Sequence, residues 1–375
     1  MERNRHESGR KAALVWIAAA VLGVAVVGYA LWAREPRWQG RSLSSWLVDL
    51  TPDKPQGTRI AAATAVRALG TNAVPFLLDW MREPEVEPRW KLRLQAWLSR
   101  QSLVKVRFEM AADRRRESVL AFEALGDAGR FAVRELAKLL RDPDANRRGD
   151  AAAALAGIGA ASVPAALAAL QSPDREVQRL AVWVLGAVAA EPETVVPALL
   201  AKIEGADRSL RSELVRCLGE FGRNAREAVP ELTRLLHTGD SGIDAAYALA
   251  GIGAIIPLLK AAANTNRATR FGALGALAYK EQMKSHPSAA EDGRYTAMLK
   301  RTCLFNLNTL HLASLMYSPD SGEALASVLK PYLQSPDPQV RAAASNSLAQ
   351  MSRTARPKSD LQPPAPPDGP QGEER

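Results

Sequence analysis

Reactive side chains are scarce in this chain. Its 375 residues include two cysteines, Cys217 and Cys303, and four histidines, His6, His237, His286 and His311. Two cysteines are too few for a disulfide framework and lack metal-site spacing, so buried thiols are expected, with a single bridge as the alternative. No two histidines stand at ligand spacing, and HExxH, CxxC, GxSxG and P-loop patterns are all missing. GxG occurs at Gly157/Gly159 and at Gly251/Gly253, but neither copy completes GxGxxG or follows a strand, so both read as helix caps. His286 lies near Glu291 and Asp292 in a stretch where nothing fixes an acid–base geometry. No catalytic residue, metal ligand or cofactor-binding residue is assigned, and the chain reads as non-enzymatic. Aromatics are also few, at 6%, while alanine and leucine abound. That balance suits closely packed helices better than sheets.

The net charge of +9 suggests nucleic acid until it is located. Residues 1–41 hold seven Lys/Arg against three Asp/Glu, and residues 82–116 hold ten against five. Residues 117–375 hold 29 of each sign. The excess therefore sits at the N-terminus and in one early insertion. A DNA-binding repeat array would carry its positive charge along the repeats, so no nucleic-acid partner is expected.

One long apolar run is present. No charged residue stands from Ala12 to Ala33. As a helix the run would be about 33 Å long, enough for a hydrocarbon core of about 30 Å. Trp16, Tyr29 and Trp32 lie near its ends, where amphipathic rings favour the interface. Arg3, Arg5, Arg10 and Lys11 precede it. This reads as a single-pass anchor with its N-terminus cytoplasmic and the body extracytoplasmic, on the periplasmic side. Gly28-Tyr29-Ala30 would serve a cleaved signal peptide, but the run exceeds the usual apolar region of about 7–15 residues.

Beyond the run, one phrase returns. It reads AAAALAGIGAASVPAALAAL from Ala151, LAVWVLGAVAAEPETVVPALLAKI from Leu180, and ELVRCLGEFGRNAREAVPELTRLL from Glu213. A shorter copy starts at Ala245, fainter copies at Ala65 and Ala121, and a last copy at Ser335. Pro164, Pro197 and Pro230 recur at equal spacing, followed sooner by Pro257. The first half of each phrase is an amphipathic helix, such as Val177, Leu180, Ala181 and Val184. A glycine near its end, such as Gly186 or Gly219, would permit a left-handed cap. Proline then opens a second helix at a position where its missing N–H costs nothing. One such pair cannot bury its own apolar stripe, so neighbours must stack.

The turns between copies carry Asp144, Asp174, Asp207, Asp240, Asn266 and Asp337. Four residues later stand Arg148, Arg211, Arg270 and Arg341, with Gln178 and Asp244 breaking the series. Acid at a helix start with arginine at i+4 favours both the dipole and the pair, so a structural Asp–Arg ladder is expected over Asp144/Arg148, Asp207/Arg211 and Asp337/Arg341. A ligand-binding arginine row is the rival reading.

SPDREVQRLAVWVLG and SPDPQVRAAASNSLAQM resemble HEAT repeats, close to the PBS-lyase HEAT-like variety. WQGRSLSSWLVDL, VRALGTNAVPFLLDWM and the insertion from Lys91 resemble bacterial single-pass membrane-anchored HEAT-repeat proteins. The resemblance covers residues 38–353. It implies an all-α, right-handed α-α superhelix of HEAT/ARM type preceded by one transmembrane helix. It also implies scaffolding for a protein or peptide partner, with no cofactor. HEAT-repeat di-iron hydroxylases use repeated His-Glu dipeptides, and the one here is His6-Glu7, outside the repeats.

The expected organisation has six parts after a basic flank at 1–11. They are the anchor at 12–33, a juxtamembrane segment and first repeat at 38–81, a basic insertion at 82–116, repeats at 117–279, an irregular segment with C-terminal repeats at 280–353, and a disordered Pro-rich tail at 354–375. Within the insertion Arg89, Lys91, Arg93, Arg100, Lys105 and Arg107 form a candidate basic docking surface for anionic lipid, an acidic partner or nucleic acid. PBS-lyase HEAT-like proteins include bilin–protein lyases, so action on a chromophore or its acceptor is the enzymatic alternative.

Overall fold

A computed structural model describes residues 35–84, 93, 110–238, 241–283 and 327–354. The anchor at 12–33, most of the insertion and the Pro-rich tail lie outside the described residues. So do Asp240, residues 103–109, whose alternating apolar and charged residues read as a short extended stretch, and residues 295–316, which read as a longer helix. Backbone contacts divide the described chain into two units, residues 35–221 and residues 222–354.

The first unit opens with a small hairpin, β1 (Arg37–Trp38) and β2 (Arg41–Ser42), paired antiparallel with Arg37 opposite Ser42. Its turn residues Gln39 and Gly40 both have positive φ, 50° and 79°, which matches the right-handed strand twist. Helices follow in pairs. They are α1 (Leu43–Leu47), α2 (Gln56–Leu69), α3 (Val74–Arg82), α4 (Ala111–Leu125), α5 (Val133–Leu139), α6 (Ala145–Ile158), α7 (Val163–Leu170), α8 (Arg175–Val188), α9 (Pro192–Ile203) and α10 (Arg208–Glu220). The second unit holds α11 (Val229–Leu236), α12 (Gly242–Ile252), α13 (Ile255–Ala262), α14 (Arg267–Met283), α15 (Lys330–Leu333) and α16 (Pro338–Thr354).

The break inside a repeat is built from sequence. At the end of α6, Gly159 takes φ 88° and its N–H closes on the Leu155 carbonyl at 3.3 Å. A short 3-10 turn over Ala160–Ser162 leads to Val163-Pro164 at the start of α7. Two expectations about these breaks are corrected. Gly186 and Gly219 are not caps: both lie inside their helices, and α8 ends instead on Ala189 in the left-handed region. Gly186 sits at a close approach instead: a Cβ there would stand 3.3 Å from the Cys217 sulfur on α10, which would have to give by a few tenths of an ångström. Pro197 does not open its helix but lies inside α9, which begins at Pro192. The left-handed residues Ala189 and Glu191 turn the chain early and let that helix start sooner.

Within each unit, first helices bury their stripes against neighbouring first helices. In α6 every residue from 151 to 158 is buried, because the helix packs against α4, α5 and α8. Only small side chains allow contact on so many sides. Leu155 and Ile158 supply bulk, and each fully buried side chain of that size contributes about 1.5–3 kcal/mol. Gly157 allows the closest approach, to the Glu123 backbone of α4, where a Cβ would meet N and Cα at 2.9 Å.

Among the described residues, Gln56–Arg82 is long and apolar enough to cross a membrane by length and composition. It is two helices, α2 and α3, interrupted at Gly70 (φ 56°, ψ −136°) and a 3-10 turn. Ala62, Val66, Leu77 and Met81 are fully buried in the first unit. The first helix of the next repeat begins at Ala111, so Arg114, Arg115 and Arg116, which the sequence places in the insertion, are repeat residues.

In the second unit α12 packs between α11 and α14. The last repeat seats α16 on α13, with the Ser347 hydroxyl donating to the Leu259 carbonyl at 2.6 Å. The buried Tyr332 hydroxyl of α15 donates to the Leu277 carbonyl at 3.1 Å.

Candidate interaction surface

The inter-repeat turns use one recurring device. Asp144, Asp174, Asp207, Asn266 and Asp337 each cap the following helix, their side chains accepting from backbone N–H groups two or three residues on at 2.8–3.3 Å. Two residues earlier, Asp142, Ser172, Asn264 and Ser335 accept the N–H of the capping residue itself. Asp207 lacks this support because Gly205 stands there.

The arginines four residues on do not pair with the capping acids. Arg148 donates to the carbonyls of Asp142 and Pro143 at 2.8 and 3.2 Å. Arg211 donates to Ala206 at 2.8 Å, Arg270 to Asn264 at 3.0 Å, and Arg341 to Ser335 at 2.6 Å. The expected i,i+4 ion pairs are thus replaced. The capping carboxylate is turned toward N–H groups, while the arginine reaches back to carbonyls of the turn that follows the preceding helix. Gln178 does not break the series, since its Nε2 donates to the Ser172 carbonyl at 2.6 Å in the same way.

Ion pairs run instead between neighbouring first helices. Arg175 of α8 meets Asp207 at 2.7 Å, and Arg179 meets Glu213 of α10 at 2.8 Å. Arg115 of α4 meets Asp150 of α6 at 3.1 Å, and it is 1% exposed. Burial raises the Asp150 carboxyl, with Arg115 opposing. The Leu210 N–H holds Asp207 below its ordinary value, against burial, and Arg175 adds to the lowering.

Arg115 also donates to the Glu83 carbonyl at 3.2 Å, while Arg114 pairs with the Glu83 carboxylate at 3.0 Å. Both arginines therefore hold the end of α3 where the insertion departs. Of the candidate basic surface, only Arg93 is described, as an exposed helical residue. Arg89, Lys91, Arg100, Lys105 and Arg107 lie outside the described residues. Cys217 is buried, and burial raises its thiol far above the ordinary range, which makes it inert as a nucleophile. Among the described residues no group of three or more His, Cys, Asp or Glu could hold a metal ion.

The second helices supply the outward chemistry. VPFLLDWM from Val74, VRELAKLL from Val133, VPAALAAL from Val163, VPALLAKI from Val196 and VPELTRLL from Val229 align residue for residue. Their fourth positions, Leu77, Leu136, Ala166, Leu199 and Leu232, are all fully buried. Their sixth positions, Asp79, Lys138, Ala168, Ala201 and Arg234, are all exposed. The inward residue is held apolar, while the outward one is acidic, basic or small from copy to copy.

These features define a helical-repeat protein whose framework positions are fixed and whose surface positions vary. The family model for HEAT repeats matches residues 133–203 and 163–253, so this stretch carries HEAT repeats. No curated protein matches the sequence. Among solved structures, a designed armadillo repeat protein is 14% identical, with 83% of this chain and 100% of that one covered, at a TM-score of 0.24. The chain is also similar to one in a structure of Kap95p bound to RanGDP, at 14% identity and TM-score 0.31, covering 82% of this chain and 42% of that one. SYS-1 is 13% identical, with 82% and 67% covered and a TM-score of 0.28.

Proposed function

We propose that this chain is a membrane-anchored HEAT-repeat scaffold that binds a protein or peptide partner through the outward faces of its second helices. The apolar run at 12–33 holds it in the bilayer, and the basic flank places the repeat body on the extracytoplasmic face. The observation that carries the binding reading is the contrast between fixed inward and varied outward positions. A constant backbone frame with changing side chains reads a partner by shape and by a few local contacts. Arg115–Asp150 and the turn device hold neighbouring repeats in register, which keeps those side chains pre-positioned.

Ala168 and Ala201 are the points to test. Both are exposed small residues at equivalent places on α7 and α9. A photo-crosslinker at the nearby exposed Pro164 should yield one defined adduct in cells. The adduct should be lost in the Ala168→Glu/Ala201→Glu double variant, whose helical circular dichroism should match that of the parent. An adduct unchanged by both glutamates would reject this face as the binding surface.

A further inference from the structure

We propose that the hairpin and α1, residues 35–47, form a membrane-facing surface seated in the phospholipid headgroup layer. The proposal deepens the reading above and rests on residues 12–33 being the bilayer anchor. Its basis is the length of chain between that run and the first described residue of the fold.

That residue is Glu35. Its carboxylate accepts from the Ser44 N–H at 3.3 Å and from the Ser44 hydroxyl at 2.8 Å. The next residue, Pro36, accepts the Leu43 N–H at 3.0 Å. Residues 35 and 36 are therefore fastened to the first turn of α1. Leu43, Trp46 and Leu47 of that helix are buried, and α1 packs on α2. The hairpin is fastened as well. The Trp46 indole N–H donates to the Trp38 carbonyl at 3.2 Å, and the two rings meet edge to face at 5.6 Å. The Arg41 guanidinium lies 3.8 Å over the Trp46 ring and bonds Asp49 at 2.8 Å.

The apolar run ends at Ala33, leaving only Arg34 between it and Glu35. Two residue steps span at most about 7 Å. The headgroup layer on one side of a bilayer is about 5–7 Å thick, from the difference between hydrocarbon and total thickness. Glu35, to which α1 is fastened, is therefore held no farther out than the headgroup layer. The anchor and the first repeat are joined by a short coupling.

The surface so placed has the right chemistry. Arg37, Gln39, Gly40 and Arg41 are exposed, and Trp38 is partly buried beside them. Arg41 uses Nη2 on Ser45 and Asp49, which leaves Nε–H and the Nη1 hydrogens for phosphate oxygens. Arginine flanking a tryptophan suits the layer where phosphate meets the hydrocarbon edge.

The test uses the full-length chain with Cys303→Ser, because Cys217 is buried and unreactive. Single cysteines at Gln39→Cys and at Thr194→Cys, an exposed position on α9, receive a fluorophore. Each labelled protein is reconstituted into phosphatidylcholine–phosphatidylglycerol vesicles, floated, and exposed to a lipid with a nitroxide on its headgroup. The expected result is flotation, with most Gln39 fluorescence lost and most Thr194 fluorescence kept. Flotation with neither probe quenched, or with both quenched alike, overturns the headgroup-seated surface and leaves the anchor standing. Failure to float removes the anchor, and the proposal falls with it.

Discussion

Single residues in this fold are decided by what stands opposite them. Gly157 and Gly149 both lie in α6, yet they face opposite surroundings. A Cβ at Gly157 would meet the Glu123 backbone at 2.9 Å, whereas one at Gly149 meets nothing within 4 Å. Gly157→Ala should therefore destabilise by about 1–3 kcal/mol, because backbone cannot move aside as a side chain can. Gly149→Ala should stabilise by about 0.5–1 kcal/mol through helix propensity. Urea unfolding of the two variants checks both signs together. The Arg115–Asp150 pair behaves differently. Removing Asp150 takes the carboxylate away from a buried guanidinium that keeps its bond to the Glu83 carbonyl, where breaking a fully enclosed pair costs about 3–5 kcal/mol. Since the Asp150 side chain is 32% exposed, Asp150→Ala should lose roughly 2 kcal/mol. Adding Arg115→Met should recover part of that loss in a double-mutant cycle. Neither glycine could be sorted from sequence, since both are helical and differ only in whether the preceding repeat presents backbone to them.

At the scale of the element, the turn between repeats works as one unit. A capping acid or amide, a supporting side chain two residues earlier and a donor four residues later together satisfy the open N–H groups of the following helix and the carbonyls of the turn itself. Asp174→Ala should cost about 1 kcal/mol, as for other lost N-caps. Gln178→Ala should cost about 0.5–1.5 kcal/mol for its bond to Ser172, while Gln178→Arg should be tolerated, because arginine makes the same reach in the other turns of the series. Denaturant unfolding of the three variants checks the order of these effects. Asp207 adds a pH dependence. Its folded carboxyl lies below the ordinary value, so its stabilisation is complete above the unfolded pKa of about 3.9 and is lost as pH falls through the folded one. Asp207→Asn should keep most stability at neutral pH and flatten this acid-side loss, measured by thermal unfolding across pH. Only the first part of this device was read from the sequence, although its supporting position also leaves a trace there. The capping residues stand out by spacing, and DPD, SPD and NTN show the supporting position. Missing was the direction in which the arginine points, since i+4 spacing on a helix fits an ion pair equally well. Gln178 lacks charge and so reads as a gap.

For the whole molecule, the repeats within each unit depend on their neighbours for burial. Residues 151–158 of α6 are covered only because α4, α5 and α8 surround them. The lipid contact enters at this scale as well. Deleting residues 1–34 should release the protein from membranes while leaving the helical circular dichroism of the repeats in place, because the described packing begins at Glu35. Membrane fractionation with spectroscopy of the released protein checks this. Retention of the deleted form on membranes would move the anchoring role to another part of the chain.

Period, helix type and inward stripe were written in the sequence by themselves. A regular return of leucine, glycine and proline admits few structures other than stacked helix pairs, because each element must hide one apolar stripe. Tertiary structure alone decided which glycines are hinges and which are close contacts. It also decided where α9 begins and which partner each turn arginine takes. Those outcomes depend on how atoms of one helix meet those of the next repeat or the preceding helix end, a meeting that a local pattern does not encode.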